Sequence, residues 1–202
     1  MSEAALRIDI LTGRDPALKA AVPDLARLRI EVFREYPYLY AGSAVYEEKY
    51  LQTYTGCAES VAVLARAGDR VVGASTGLPL AAETPECQAP FVAQGIDLSE
   101  VFYCGESVLL PEYRGKGLYK AFFQGREQHA RKLGGFRYMA LCGVVRPDHH
   151  PRRPPGYTPL DAVWQHFGYV CHPELTTTFE WQDLDEAAES PKRMQFWLKV
   201  LA

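Results

Sequence analysis

No stretch of this chain approaches the ~18 uninterrupted apolar residues that a membrane-spanning helix requires. Met1 to Ile10 also lacks the basic segment and long apolar run of a secretory leader, so the expectation is a cytoplasmic protein with no membrane partner. Cysteine is sparse: Cys57, Cys87, Cys104, Cys142 and Cys171 are odd in number, widely spaced and without a Cys-x-x-Cys pair. That pattern indicates neither a disulfide framework nor a zinc site, and most of the five read as small buried hydrophobes. His149-His150 with Asp148 lack a third and fourth ligand at convincing spacing, so no metal is expected. The chain has no Gly-x-x-x-x-Gly-Lys-Ser/Thr loop, which disfavours nucleotide hydrolysis. It has no basic surplus either: the net charge of −3 argues against a nucleic-acid partner.

What is present suits a single domain spanning residues 1–202, 48% hydrophobic and 23% charged, with material for a substantial core. Leu6, Ile8 and Ile10 alternate with polar residues as a half-buried strand does, and Thr12 to Pro16 breaks the pattern. From Pro23 to Arg34, Leu25, Leu28, Val32 and Phe33 recur at helical spacing, with Pro23 placed in the first turn. Tyr36 to Tyr54 holds six of the 12 tyrosines. Tyr46, Tyr50 and Tyr54 repeat every four residues and predict a short helix. Their aromatic stripe either packs on a sheet or forms a lid, with Glu31, Glu35, Glu47 or Glu48 available to a cationic substrate.

Val61–Arg66 and Arg70–Leu78 predict an antiparallel hairpin around Ala67-Gly68-Asp69. Ala81 to Asp97, with Pro85 and Pro90, reads as a loop with at most a short helix. Val101 to Leu110 reads as one central strand. It is followed by Pro111-Glu112-Tyr113-Arg114-Gly115-Lys116-Gly117-Leu118-Tyr119-Lys120, a basic glycine turn opening a helix. Leu118, Phe122, Gly125, His129 and Leu133 trace one face of that helix, and Gly134-Gly135 closes it. Phe136 to Val145 is nearly all apolar, as expected of a strand covered on both faces, which predicts a right-handed βαβ unit. Arg146 to Gly156 is a loop, Asp161 to His166 a short helix, and Leu175–Trp181 and Met194–Leu201 two last strands joined by the polar Gln182 to Lys192. A homodimer through those last strands stays open.

The strand-turn-helix at Val101 to Lys120 is a candidate anion site. A helix start leaves amide N–H groups unpaired at the positive end of the helix dipole, and Gly115 and Gly117 let a ligand approach the backbone closely. This stretch resembles the acyl-CoA-binding motif of the GNAT superfamily of N-acetyltransferases, and the order of elements through Phe167-Gly168-Tyr169 is similar to that family's as well. The resemblance implies an α/β fold with a mixed central sheet flanked by helices, acetyl-CoA as cosubstrate and a small-molecule or peptide amine as acceptor. It further implies that backbone amides of Arg114, Gly115, Lys116, Gly117, Leu118 and Tyr119 cradle the CoA pyrophosphate, while the strand edge at Val108, Leu109 and Leu110 bonds the pantetheine arm. Tyr119 departs from the small residue usual at the turn's last position. Its side chain is expected to point away from the pyrophosphate.

An amine attacking a thioester must be neutral, needs its target carbonyl polarised, and needs a proton for the leaving thiolate. Glu106, an acid in an otherwise apolar strand, is either the base or the structural partner of an arginine or of backbone amides. The Leu109 N–H is the natural donor to the carbonyl. The acid is less defined, because many family members carry a tyrosine where this chain has Trp164. Tyr157, His166 and Tyr169 are alternatives, with Tyr157 ranked first, and the thiolate leaving unaided is another. The rival to an enzyme is a non-catalytic acyl-CoA-binding or interaction module.

Overall fold

The computed structural model describes residues 5–201; the part of the Met1 to Ile10 expectation that falls on residues 1–4 lies outside them. The chain opens with β1 (Leu6–Thr12) and α1 (Pro16–Phe33), then α2 (Ala44–Gly56) and the hairpin β2 (Val61–Ala67) and β3 (Arg70–Pro79). Next come α3 (Pro85–Ala93), β4 (Val101–Cys104), β5 (Ser107–Leu109), α4 (Leu118–Leu133) and β6 (Tyr138–Val144). The last elements are α5 (Asp161–His166), β7 (Val170–Trp181) and β8 (Ser190–Val200). One eight-stranded, mostly antiparallel sheet runs β1-β2-β3-β4-β6-β8-β7, with β5 paired to β3. The parallel pairing of β4 with β6 through α4 is the expected βαβ unit.

Four expectations are corrected. The first helix begins at Pro16 rather than Pro23, because Asp15 caps it by accepting from the Ala17 amide at 3.0 Å. Proline suits the first helical position, where its missing N–H has no intrahelical partner anyway. Pro23 then sits within the helix. The stretch Ala81 to Asp97 is mostly helical: Pro85 starts a nine-residue helix, Cys87 and Phe91 are buried, and Phe91 packs edge-on to Phe196 at 5.0 Å. The last two strands begin earlier than expected and pair through Val170–Cys171 and Thr176–Trp181 on either side of a register break, shortening the polar connection between them.

The fourth correction matters most. The central strand is not continuous: β4 pairs with β3 and β6, whereas β5 pairs with β3 alone, and Gly105-Glu106 fills the break. Leu110 donates to the Val72 carbonyl at 3.0 Å, keeping β5 on β3, while β6 pairs with β4 only over Tyr138 to Leu141. A wedge opens in the sheet beyond Glu106, facing α1 and the turn that leads into α4.

Candidate functional site

Two cavities flank the break. The first, of about 580 Å³, is lined by Tyr103, Gly105, Tyr50, Glu47 and Glu83 toward its floor and by Glu86 and Glu180 toward its rim. The second, of about 960 Å³, runs from Ser107 and Leu109 to Arg114, Gly115 and Gly117, with Tyr119, Val163 and Phe167 along its wall. Phe33 and Tyr38 line both. Glu106 occupies the position between the residues facing each cavity, and its side chain is buried.

The second cavity ends at the helix start that the glycine pattern foretells. Gly115 (φ 76°) and Gly117 (φ 78°) are left-handed, and a Cβ on either would meet nothing within 4 Å. The amides of Gly115, Gly117, Leu118 and Tyr119 make no hydrogen bond to another described residue. The first turn of α4 carries no acid, so the positive end of its dipole is not neutralised within the helix. Arg114 folds back over this turn, donating to the Leu109 carbonyl at 3.2 Å and to Glu35 at 2.9 Å, and Lys116 lies over the Tyr113 ring. A diphosphate fits such a turn: unobstructed amides, with cations close by.

Along β5, alternate residues point their peptide groups to opposite edges. Leu110 donates to β3, and Val108 pairs with Ala74 in the same register, so both are committed inward. Leu109 and Ser107 turn theirs to the open edge and line the cavity. Tyr119 is turned into the fold, against Phe122 and Phe123 at ring distances of 6.3 and 5.3 Å, and forms cavity wall. It does not block the glycine turn. Leu118, the helix's first residue, is buried.

The first cavity has acidic walls over a buried ion network. Arg29 donates through Nε to Glu47 and through Nη1 to Glu106 Oε2, and its guanidinium lies over the Tyr50 and Phe33 rings. Burial disfavours the charge on Arg29, but the two carboxylates outweigh it and hold the proton. Burial also pushes the Glu106 carboxyl above the usual carboxylate range, with Arg29 opposing the rise. Oε1 of Glu106 and Oε1 of Glu47 have no hydrogen-bond partner among the described residues. The Glu106 carbonyl accepts from buried Arg126 at 3.0 Å, so both ends of the residue are held by arginines.

Beside this network, Glu83 accepts from Tyr54 at 3.2 Å and Tyr50 at 3.4 Å. Burial raises its pKa too, with the Thr84 amide opposing. The Tyr54 hydroxyl presses so close to Gly105 that a Cβ there would lie 1.9 Å from it, which brings this acid cluster against the backbone next to Glu106. The tyrosine stripe therefore grades from core to rim: Tyr54 is buried, Tyr50 half-buried and Tyr46 exposed, the last two lining the cavity.

Of the acids proposed for a cationic substrate, Glu47 lines the first cavity, Glu35 the second, and Glu31 is paired with Arg27 on the surface. Tyr157 stands in the second cavity only, edge-on to Tyr36 at 4.6 Å and beneath Arg153. The loop after β6 contributes Arg152 and Pro154 to that cavity, not to the first. Trp164 lines neither; it fills the space left by Gly143, where a Cβ would meet it at 2.5 Å, and packs on Trp197. Cys142 lines the first cavity with its thiol pushed up by burial to about 12, poor material for a nucleophile.

Sequence reasoning missed Arg29 and Glu83, and took Tyr38 only as one of the six tyrosines of 36–54. Arg29 lies on the inward face of the first helix, next to Leu25 and Leu28, where a charged residue is itself a signal. Glu83 carried no local signal.

Neither a family sequence model nor a curated protein sequence matches the chain. Solved structures do. An N-acetyltransferase from Staphylococcus aureus Mu50 aligns at TM-score 0.62 and 12% identity over 98% of this chain and 100% of that one. NAA60 from Arabidopsis thaliana, in complex with acetyl-CoA, aligns at 0.61 and 13% over 98% and 99%. An acetyltransferase of the GNAT family from Streptococcus pneumoniae aligns at 0.58 and 12% over 98% and 100%. At these identities the likeness concerns architecture, and the chain has the fold of the GNAT acetyltransferases.

Proposed function

We propose that this protein is an N-acetyltransferase that carries the acetyl group of acetyl-CoA directly to a primary amine in a ternary complex. The observation that carries the reading is the pair of cavities meeting at the β4/β5 break, one ending at open glycine amides and the other walled by acids. Acetyl-CoA would lie in the larger cavity, its diphosphate on the amides from Arg114 to Tyr119 and its pantetheine arm along the Leu109 edge. The residues present fit that donor: nothing crowds the left-handed glycines, and one strand edge is open.

The acceptor would enter the smaller cavity. Glu86 and Glu180 at its rim attract a cation, and Glu83 with its two tyrosines orients the amine near the break. Glu106 takes the amine proton. A base must stay ionised at working pH yet hold a proton better than an ordinary surface carboxylate, and burial opposed by Arg29 tunes Glu106 in that direction. Leu109 N–H polarises the thioester carbonyl from the open edge. Tyr157 forms part of the donor wall.

The test is thiol release from acetyl-CoA in the presence of alkylamines, diaminoalkanes and lysine-containing peptides. Amine-dependent release that drops on Glu106→Gln while CoA affinity holds supports the reading. Tight CoA binding with no turnover on any amine identifies a binding module instead.

A further inference from the structure

The reaction above leaves one requirement unassigned, a proton for the departing CoA thiolate. The thiolate forms where the two cavities join, since the thioester must face the amine in one while its CoA lies in the other. Among the described residues, Phe33 and Tyr38 alone line both cavities. Phe33 has no proton to give. We propose that Tyr38 is the acid of the reaction, its hydroxyl protonating the sulfur as the carbon–sulfur bond breaks.

The setting of Tyr38 suits this task. Its backbone is clamped: the Tyr38 carbonyl accepts from Arg146 at 2.7 Å and from the Trp181 indole at 3.1 Å, and the neighbouring Pro37 carbonyl accepts from Arg146 at 2.7 Å. Asp183 in turn holds the Arg146 guanidinium through two bonds of 2.7 and 2.9 Å. The ring is set between Phe33 at 4.5 Å and Trp181 at 6.0 Å. The hydroxyl makes no hydrogen bond to another described residue, and Tyr38 is half-buried on the wall that the two cavities share. The groups it senses electrostatically are Cys142 and Arg29 from the acceptor side and Tyr119 and Tyr157 from the donor side. Rigid placement with an unused donor is what a proton-transfer group needs.

The step balances without any added reagent. The amine nitrogen forms a bond to the carbonyl carbon and gives its proton to Glu106. The carbon–sulfur bond breaks with its electron pair going to sulfur, which takes the Tyr38 proton. The phenolate recovers a proton from Glu106 through solvent, so the net change moves one hydrogen from amine to thiol. A tyrosine hydroxyl carries its proton across the working range, so the proton is in place when negative charge develops on sulfur.

This inference rests on the proposed acetyl transfer, and the experiment separates the two. Tyr38→Phe is compared with wild type using acetyl-CoA and the fastest acceptor among alkylamines, diaminoalkanes and lysine-containing peptides, then using an aryl thioester of acetate with the same acceptor. An aryl thiolate is a stable anion and leaves without a proton. The expected result is a fall in kcat of about 100-fold on acetyl-CoA with KM changed less than threefold, and a fall of less than threefold on the aryl thioester. Equal losses on both donors, or kcat on acetyl-CoA within threefold of wild type, overturn the assignment and leave acetyl transfer standing. Absence of amine-dependent turnover in wild type overturns both. Matching thermal unfolding of the two proteins excludes misfolding as the source of any loss.

Discussion

Arg29 and Glu106, 77 positions apart, are joined by a buried hydrogen-bonded ion pair at the point where the central strand breaks. Glu47 shares the same guanidinium. One cation thus compensates two buried carboxylates, and taking it away would leave both without a counter-charge. Arg29→Met is expected to destabilise the protein by about 3 kcal/mol in denaturant unfolding near neutral pH. The loss has a defined pH sign. Without Arg29 the Glu106 carboxyl would titrate still higher in the folded state, so the variant's deficit is present above that range and shrinks as pH falls through it. A deficit below 1 kcal/mol, or one that grows on acidification, would show that the network does not hold the break together.

Glu106 carries a pH prediction of its own. Burial raises its pKa above 4.5, and a base works only when ionised, so turnover should fall as pH drops through a midpoint above 4.5. The acceptor amine's own titration is common to wild type and Glu106→Gln, so the difference between their profiles belongs to Glu106. The variant should lack that acid limb and lose about 100-fold in kcat. An unchanged acid limb in the variant would move the base elsewhere, with Glu83 the next carboxyl in reach.

Gly117 tests the donor site. A side chain there must adopt φ near 78°, which strains it by roughly 1 kcal/mol, and it projects into open space rather than into the core. Gly117→Leu should therefore stay folded while CoA affinity falls more than tenfold by calorimetry. Unchanged affinity would remove the turn from the donor site.

Trp164 makes a contrasting prediction. It fills the hollow over Gly143 against Trp197 and borders neither cavity. Trp164→Tyr should leave kcat within about threefold of wild type, with a stability loss of about 1–2 kcal/mol from the unfilled space. A rise in kcat of tenfold or more would mean that the residue at this position reaches the leaving group after all.

Much of the fold was legible because its signals are local. The apolar run at 136–145, the amphipathic face of 118–133 and the glycine stop at 134 report on neighbouring residues, and α5 falls at the expected Asp161–His166. The start of the first helix was less legible, because Pro23 suits a first turn as well as Pro16 does, and only the Asp15 cap decides between them. The break at Gly105-Glu106 was not legible, since it results from β4 and β5 choosing different partners across the sheet. The candidate site divides the same way. Its glycine turn is one continuous segment, whereas Arg29, Glu83, Tyr38 and Glu106 meet only after α1, β3 and the loop before α2 have packed together.

The central claim is that the two cavities serve one transfer. Its most direct measurement is mass analysis of both products after incubating the purified protein with acetyl-CoA and a diaminoalkane. The expected result is free CoA and the amine carrying one acetyl group in equal amounts, with both abolished together when either substrate is withheld. Bound acetyl-CoA recovered intact, with no acetylated amine from any acceptor class, would contradict it.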